Sequence, residues 1–332
     1  MTIAHPNNFC SGSCYQDWLE VNLLSDCNGR CSWCINKNSF MPTKEVSINT
    51  ICKAAIDSGK KNVILLGGEP TLHKHLHKII DILTSHNLNV YLTTNGSLLT
   101  RKYCKENLQG LKGINISVHH YSPYINSIIT GLLLDYKVLQ SSIQQLQLQN
   151  TSVRLNCNII YGEIDTVISI QHYIRFAKEM NVFEVRFAEL KNDTNNFVGL
   201  ETIFGKGVYG LNEDPFTQGC VNTGYLDGVF CSFRQMCGLQ NPLRPLPIAP
   251  EQVQKDVLYY DGNIYKGWQI SLQERKNMDE KLLTLILEKV KSGELTVEEA
   301  KKAFEVHEKE MLKAMQGNHK PQQSASGFGC VY

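Results

Sequence analysis

The chain has 332 residues, of which 42% are hydrophobic and 20% are charged, and its formal net charge is +1. This balance is ordinary for a globular protein and excludes a disordered or fibrous chain. No long run of Lys and Arg occurs, so we predict no nucleic-acid partner. The polar residues 1–10 lack an apolar signal segment, and no stretch of about 18 apolar residues is present. We therefore expect a cytoplasmic protein that does not engage a membrane.

Short apolar runs of strand type alternate with helical patterns between residues 17 and 190. Strands are predicted at Trp18–Leu24, Asn62–Leu66, Asn89–Thr93, Gly113–Val118, Val153–Ile160 and Phe183–Phe187. Helices are predicted at Ser47–Ser58, Leu76–Ser85, Lys102–Leu108, Leu133–Gln147 and Val167–Met180. Six strands at βα spacing favour a parallel sheet, which right-handed crossovers curl into a barrel. The predicted fold class is α/β, a partial (β/α)6 TIM barrel with a C-terminal extension.

The composition changes after about residue 192, where the pattern becomes less periodic. Asp261-Gly262 predicts a hairpin turn within Val257–Lys266, because this dipeptide favours two-residue turns. A helix is predicted at Asp279–Val290, and Thr296 with Glu299 forms a capping box that opens another helix. The predicted organisation is an N-terminal segment (1–16), the barrel (17–192), the extension (193–316) and a flexible tail (317–332).

Cys27, Cys31 and Cys34 form a C-x3-C-x2-C pattern directly after the first predicted strand. Three thiolates on one short loop can ligate three irons of a cubane cluster and leave the fourth iron open to another ligand. A structural zinc site is the alternative, but zinc requires four ligands and no fourth Cys or His lies close behind Cys34. Active sites of such barrels lie at the C-terminal ends of the strands, where this loop is expected.

The cysteine pattern, with Trp33 directly before its last Cys, resembles the signature of the radical S-adenosylmethionine (SAM) superfamily. Gly67-Gly68-Glu69-Pro70 follows the second predicted strand and resembles the GGEP motif of that superfamily. The resemblance implies an enzyme in which a [4Fe–4S] cluster on the three cysteines cleaves SAM to a 5′-deoxyadenosyl radical. That radical abstracts hydrogen from a substrate. The resemblance further implies that Trp33 packs beside SAM and that residues 67–70 position its methionine end.

Further positions resemble sites that contact SAM or substrate in related enzymes. They are Thr94 after the third strand, Ser117 on the fourth, Arg154 and Asn156 on the fifth, and Arg186 on the sixth. The sixth-strand segment resembles the GTP-cyclising enzymes of molybdenum cofactor synthesis, although Glu20 stands where that family has an Arg. At each position the alternative is a polar strand end with no functional role. The resemblance covers roughly residues 17–190.

Four cysteines in the second half of the chain are further candidates. Cys220, Cys231 and Cys237 are candidate ligands of an auxiliary iron–sulfur cluster, which relatives often carry in a C-terminal extension. Their spacing, C-x10-C-x5-C, matches neither the C-x2-C-x13-C pattern of the molybdenum cofactor enzymes nor the longer seven-cysteine arrangement of peptide-modifying relatives. Unpaired core cysteines are the alternative. Cys330 is a candidate fourth ligand or catalytic thiol, with a disordered chain end as the alternative.

His119 and His120 end the fourth strand, so we expect at least one of them to point into the barrel mouth. They are candidates for substrate contact or proton transfer. The expected substrate is a small molecule or a peptide, and a flavodoxin- or ferredoxin-like protein is the expected electron donor. Two alternatives stay open, namely a non-enzymatic zinc- or cluster-binding module and an activase of another protein.

Overall fold

The computed structural model describes residues 17–37, 42, 44–191, 193–211, 221–236, 256–267, 284, 286–293 and 296–302. The chain divides into two compact units, residues 1–277 and residues 278–332. Three of the predicted site residues, Cys220, Cys237 and Cys330, lie outside the described residues. So does the first part of the helix predicted at Asp279–Val290.

The first unit is built on one sheet of ten strands. The strands are β1 (Trp18–Asn22), β2 (Asn62–Leu66), β3 (Asn89–Thr94), β4 (Gly113–Ser117), β5 (Ser152–Asn158), β6 (Glu184–Ala188), β7 (Val221–Leu226), β8 (Val229–Arg234), β9 (Asp256–Tyr259) and β10 (Ile264–Lys266). Their order in the sheet is β10-β9-β1-β2-β3-β4-β5-β6-β8-β7. Strands β1 to β6 pair in parallel with their neighbours in chain order, which confirms the predicted partial barrel.

Helices connect the parallel strands. They are α1 (Ile48–Asp57), α2 (Leu76–Ser85), α3 (Arg101–Asn107), α4 (Pro123–Thr130), α5 (Tyr136–Leu148), α6 (Val167–Glu179) and α7 (Leu200–Phe204). Side-chain caps fix several starts: the Ser47 hydroxyl accepts from Thr50 N at α1, and the Asp135 carboxylate accepts from the backbone at α5. Helix α4 was not predicted, and it follows β4 directly at the end of the barrel that holds the cysteine loop.

The two faces of the sheet differ in what they bury. Alternate residues such as Leu19, Val21 and Leu65 belong to a large apolar core that also contains helical residues. Their neighbours along the strands point to the other face, because successive strand side chains alternate. There, Trp18 and Tyr91 pack with ring centroids 5.0 Å apart, in a small apolar cluster. This inner face leads toward the ends of the strands where the functional site lies.

Two hairpins from the predicted extension lengthen the same sheet. The hairpin predicted around Asp261-Gly262 is confirmed as β9 and β10, and β9 pairs in parallel with β1. A second hairpin, β7 and β8, was not predicted, and β8 pairs in parallel with β6. Its turn residues Asp227 and Gly228 have φ of 46° and 78°, as a type I′ turn requires. Strands of the predicted barrel and of the predicted extension therefore share one sheet.

The described part of the second unit is helical at residues 286–291 and 297–302. The predicted capping box is present at the second of these helices. Thr296 N donates to Glu299 Oε2 over 2.8 Å, and Glu299 N donates to Thr296 Oγ1 over 3.2 Å. Across the described ranges, no helix combines the length and the hydropathy that a membrane span needs.

Candidate functional site

An open pocket with a cavity volume of about 170 Å³ lies at the C-terminal ends of the parallel strands. The cysteine loop, the loops after β2 and β3, the end of β4 and the segment around the end of α4 line it. The lining residues are Cys27, Gly29, Cys31, Trp33, Cys34, Leu66, Gly67, Gly68, Glu69, Thr93, Thr94, Asn95, Ser117, His119, Asn126, Thr130 and Leu132. Nine residues predicted from the sequence are thus brought together at one pocket: Cys27, Cys31, Trp33, Cys34, Gly67, Gly68, Glu69, Thr94 and Ser117. His119 is a tenth.

None of the three cysteines of this loop forms a disulfide bond, and all three are at least partly exposed. Gly29 N donates to Cys27 Sγ over 3.3 Å. Desolvation by the surrounding loops raises the pKa of the Cys27 thiol, and the Gly29 hydrogen bond acts in the opposite direction. Among the residues that the structure describes, no three Cys, His, Asp or Glu side chains are positioned to hold a single metal ion. In a cubane cluster each thiolate ligates a different iron, so the thiols need not meet at one point.

The Gly67-Gly68 segment is bound directly to the start of the cysteine loop. Gly68 N donates to Leu24 O and Glu69 N donates to Asp26 O, both over 2.8 Å. A Cβ atom on Gly68 would lie 2.0 Å from Asp26 O, and one on Gly67 would lie 2.7 Å from Leu24 O. The two glycines are therefore required for close approach of two backbones. In this structure both glycines pack against the backbone at the start of the cysteine loop.

Glu69 is buried, and its carboxylate is held by neighbouring donors. Oε1 accepts from Thr71 N, Thr71 Oγ1 and Thr94 Oγ1, and Oε2 accepts from Asn95 N over 2.7 Å. These contacts join the loop after β2 to the loop after β3. Pro70 is buried in the short 3-10 turn that follows. Glu69 thus fixes the geometry of the pocket wall, a role that the sequence did not reveal because its partners are up to 26 residues away.

A polar network reaches from Asn95 to the cysteine loop. Asn95 Nδ2 donates to Asn28 Oδ1 over 2.8 Å, and Asn28 Nδ2 donates to Ser97 Oγ over 2.8 Å. On another side of the loop, Arg30 N donates to Thr130 O at the end of α4. The cysteine loop is therefore held by the β3 loop and by α4 in addition to the Gly67-Gly68 segment.

His119 lies in the pocket lining, as expected for at least one of the two histidines. Its ring meets the Trp33 ring edge to face, with centroids 5.3 Å apart. Its Nδ1 accepts from Asn158 N over 3.1 Å, and its backbone N donates to Asn126 Oδ1 over 2.9 Å. Burial lowers the pKa of His119 to about 4, so its imidazole is neutral at physiological pH. This environment suits a hydrogen-bond donor better than a proton-transfer group at neutral pH.

His120 is buried beside the pocket but does not line it. Its Nδ1 accepts from Ser122 N over 2.9 Å, and its Nε2 lies 3.8 Å from Glu163 Oε2. The backbone carbonyl of His120 accepts from the Tyr136 hydroxyl. These contacts connect the end of β4 to the following helices and favour a structural role.

Arg154, Asn156 and Arg186 lie on the inner face of the sheet and do not line the pocket. Arg154 is 1% exposed, and its Nη1 lies 3.4 Å from Glu184 Oε1. Desolvation lowers the pKa of Arg154 to about 10, while Glu184 acts in the opposite direction. Arg186 Nε donates to Ser232 Oγ on β8 over 3.4 Å. The predicted contacts of these three residues with SAM stay predictions.

Cys231 lies on β8 and is fully buried in the apolar core. Burial raises the pKa of its thiol to about 12. This placement favours the alternative of a core cysteine over a ligand of an auxiliary cluster. Cys220 and Cys237 lie outside the described residues, so the auxiliary cluster stays a prediction.

The wall formed by Asn126, Thr130 and Leu132 was missed in the sequence because α4 was not predicted. A signal for α4 was present: Ser122-Pro123 places Pro at the first helical position, and Gly131 adopts the left-handed conformation at the end. The helix has only eight residues, too few for a clear apolar period.

Comparison with known proteins shows which family this sequence is similar to. The model of the Radical SAM superfamily matches residues 21–137, which include the cysteine loop and the Gly67–Pro70 motif. This match confirms the resemblance to the radical SAM superfamily that the two motifs indicate.

The chain is also similar in sequence to individual members of one enzyme group, the GTP 3',8-cyclases. The chain is 29% identical over 198 residues to a GTP 3',8-cyclase of Nautilia profundicola, covering 57% of this chain and 61% of the relative. It is 32% identical over 178 residues to a probable GTP 3',8-cyclase of Sulfurisphaera tokodaii, covering 52% and 55%. The chain thus spans less than two thirds of the length of these relatives. The weaker resemblance to the molybdenum cofactor branch is confirmed at the level of sequence similarity.

Among solved structures, SuiB of Streptococcus suis superposes with a TM-score of 0.50 at 16% identity. The superposition covers 75% of this chain and 59% of SuiB. At this identity the likeness concerns the fold alone.

Proposed function

We propose that the chain is a radical SAM enzyme that acts on a small-molecule or peptide substrate. The observation that carries the proposal is the pocket itself, in which the three cysteines of the loop and the Gly67–Glu69 segment lie side by side. Thiolates are the preferred ligands of iron–sulfur clusters, and three of them leave one iron of a [4Fe–4S] cluster without a protein ligand. The donor set therefore fits such a cluster, with Cys27, Cys31 and Cys34 as its ligands.

When bound, the cluster supplies one electron for reductive cleavage of SAM, which yields methionine and a 5′-deoxyadenosyl radical. The side chains and backbone of this chain would position the cluster and SAM and shield them from solvent. The Gly67-Gly68 backbone and Glu69 fix the wall of the pocket next to the cysteine loop, and Trp33 with His119 closes another part of it. Enclosure of the substrate against the inner face of the barrel would exclude water and so prevent side reactions of a reactive intermediate. A flavodoxin- or ferredoxin-like protein is the proposed source of the electron.

Metal content and SAM cleavage test the proposal together. Anaerobically reconstituted protein should bind about four irons per chain and should release 5′-deoxyadenosine when reduced in the presence of SAM. Cys31→Ala removes one ligand and should abolish SAM cleavage and lower the iron content. Cys52→Ala is the matched control, because Cys52 is buried on α1 outside the pocket, and it should leave both readouts unchanged. Zinc in place of iron, with no 5′-deoxyadenosine, would instead support the binding module and overturn the proposal.

The curated relatives make GTP the first small molecule to test. Glu20 is buried on β1 and carries a carboxylate where the resemblance places an Arg, which disfavours an identical site for a triphosphate. If GTP is consumed in step with 5′-deoxyadenosine release, this chain shares the activity that its relatives are named for. If GTP is not consumed while SAM is cleaved, another small molecule or a peptide is the substrate.

A further inference from the structure

The side-chain amide of Asn95 lines the pocket, and hydrogen bonds fix its orientation. Its Oδ1 accepts from Ser97 N over 2.9 Å, and its backbone N donates to Glu69 Oε2 over 2.7 Å. A backbone N–H can only donate, so the oxygen of the amide must be the atom that faces Ser97 N. The nitrogen of the amide, Nδ2, therefore faces the cysteine loop.

The two hydrogens of Asn95 Nδ2 have two acceptors within the cysteine loop. Asn28 Oδ1 accepts one of them over 2.8 Å, and Asn28 is itself held by a bond from its Nδ2 to Ser97 Oγ. Cys27 Sγ lies 4.0 Å from Asn95 Nδ2, which is long but within the reach of an N–H···S contact. Because an amide nitrogen carries two hydrogens, the second is left for this sulfur.

The surroundings of the Cys27 sulfur disfavour a negative charge. Desolvation by the surrounding loops raises the pKa of the thiol, and the nearby Glu69 and Cys34 side chains raise it as well. Two donors oppose these effects, namely Gly29 N, which lies 3.3 Å from the sulfur, and Asn95 Nδ2. Since the Gly29 donor belongs to the backbone, Asn95 carries the donor that a substitution can remove.

Negative charge at a ligating sulfur increases when an iron–sulfur cluster is reduced. One electron, supplied by the proposed flavodoxin- or ferredoxin-like donor, takes a [4Fe–4S] cluster from its 2+ to its 1+ state, and hydrogen bonds to the sulfurs favour the reduced state. We propose that Asn95 Nδ2–H donates to the Cys27 thiolate and holds the reduction potential of the proposed cluster above the value it would have without this donor. The assignment rests on the proposed function. It makes Asn95 a positioning residue, because it acts on the cluster through Cys27.

The midpoint potential of the reconstituted cluster tests the assignment. It is measured by a redox titration followed by electron paramagnetic resonance, without SAM, at about pH 8, where an ordinary carboxyl is ionised. Asn95→Leu removes the donor and adds no charge. Asn95→Asp keeps the oxygen that accepts from Ser97 N and replaces the donor by a second carboxylate oxygen. Ser97→Ala is the matched control, because it removes the contact with Asn28 Nδ2 and leaves both contacts of Asn95 Nδ2 in place.

Both Asn95 variants should make the cluster harder to reduce. At a fixed solution potential, Asn95→Leu should lower the ratio of reduced to oxidised cluster at least about threefold, the size of a modest net hydrogen bond. Asn95→Asp should lower it at least about tenfold, because it also adds a negative charge beside the sulfur. For a one-electron couple, a tenfold change is a fall of about 59 mV in the midpoint potential. Ser97→Ala should leave the midpoint potential unchanged.

Each result has a distinct meaning for the two proposals. If the wild type holds no reducible [4Fe–4S] cluster, the proposed function fails. If the cluster is present and Asn95→Leu leaves its midpoint potential unchanged, the assignment of Asn95 is wrong while the function stands. A shift in Asn95→Asp alone would also overturn the assignment, because it would be an effect of the added charge.

Reduced loading of a variant does not weaken the test, since a midpoint potential does not depend on how much cluster is present. Complete loss of the cluster from both Asn95 variants, with wild-type loading in Ser97→Ala, would overturn the assignment in favour of a structural role for Asn95. A lower midpoint potential in both Asn95 variants, absent in Ser97→Ala, is the expected result.

Discussion

The close approach of Gly68 to the cysteine loop predicts a loss of stability in Gly68→Ala, and the size of that loss can be worked out from the structure. An added Cβ would lie 2.0 Å from Asp26 O and 2.5 Å from Ser25 O, so one of the two backbones must move by more than 1 Å. That movement breaks the hydrogen bonds Gly68 N to Leu24 O and Glu69 N to Asp26 O. At about 1 kcal/mol for each bond, Gly68→Ala should cost about 2 kcal/mol of stability. Because the cysteine loop is one of the two partners, iron binding should fall as well.

Thermal melting of the apoprotein and iron content after reconstitution measure the two effects. Gly59→Ala is the control, since Gly59 has φ of +70° and nothing within 4 Å of its added Cβ. Its left-handed backbone makes Ala cost about 1–2 kcal/mol, with no contact to the cysteine loop. Both variants should melt earlier, but only Gly68→Ala should lose iron. A Gly68→Ala protein with wild-type melting and full iron content would refute the reasoning.

Two further predictions concern buried charges. Burial alone would raise the pKa of Asp256, but hydrogen bonds from Lys266 and Lys60 lower it below its ordinary value. The ionised carboxylate therefore adds stability above the unfolded-state pKa, and this contribution is lost as the pH falls through the folded-state pKa. Asp256→Asn should destabilise the chain by about 1 kcal/mol at neutral pH, and its melting temperature should converge with that of wild type as the pH falls below the folded-state pKa. A pH-independent difference would contradict this. Arg154→Met should cost about 3–5 kcal/mol because it removes the fully buried partner of the Arg154–Glu184 ion pair, and adding Glu184→Gln should restore part of that stability. No recovery in the double variant would argue against the ion pair.

Regular periodicity determined which elements were predictable. β2 (Asn62–Leu66) and α2 (Leu76–Ser85) have the predicted bounds, because each is a clear apolar run or a clear helical pattern between turns. Helix α4 and the β7–β8 hairpin were missed since one is short and the other lies in a stretch rich in Gly and Asn. The Asp227-Gly228 turn carries the same hairpin signal as Asp261-Gly262, so the turn between β7 and β8 does have a local signal in the sequence.

Some parts of the candidate site can be predicted from the sequence and others cannot. The cysteine loop and Gly67–Pro70 were predictable because their chemistry is local and their spacing is short. The anchoring of Glu69, the donor on Asn95 and the wall made by α4 depend on contacts between segments far apart in the chain. Contacts of this kind produce no recognisable pattern in a single sequence. The sequence likewise placed Cys231 among cluster candidates because its burial in the core is a property of the folded sheet.

The parallel pairing of β1 with β9 has a consequence for biosynthesis. Leu19 pairs with Asp256, so β1 becomes an interior strand only when a segment roughly 240 residues further along has been made. At about 5–20 residues per second on the ribosome, this takes roughly 10 to 50 s, during which the strand that leads into the cysteine loop remains an unpaired edge. The loop therefore emerges early and its supporting sheet is completed late. Until β9 has paired, the outer edge of β1 is open to edge-to-edge association with another chain.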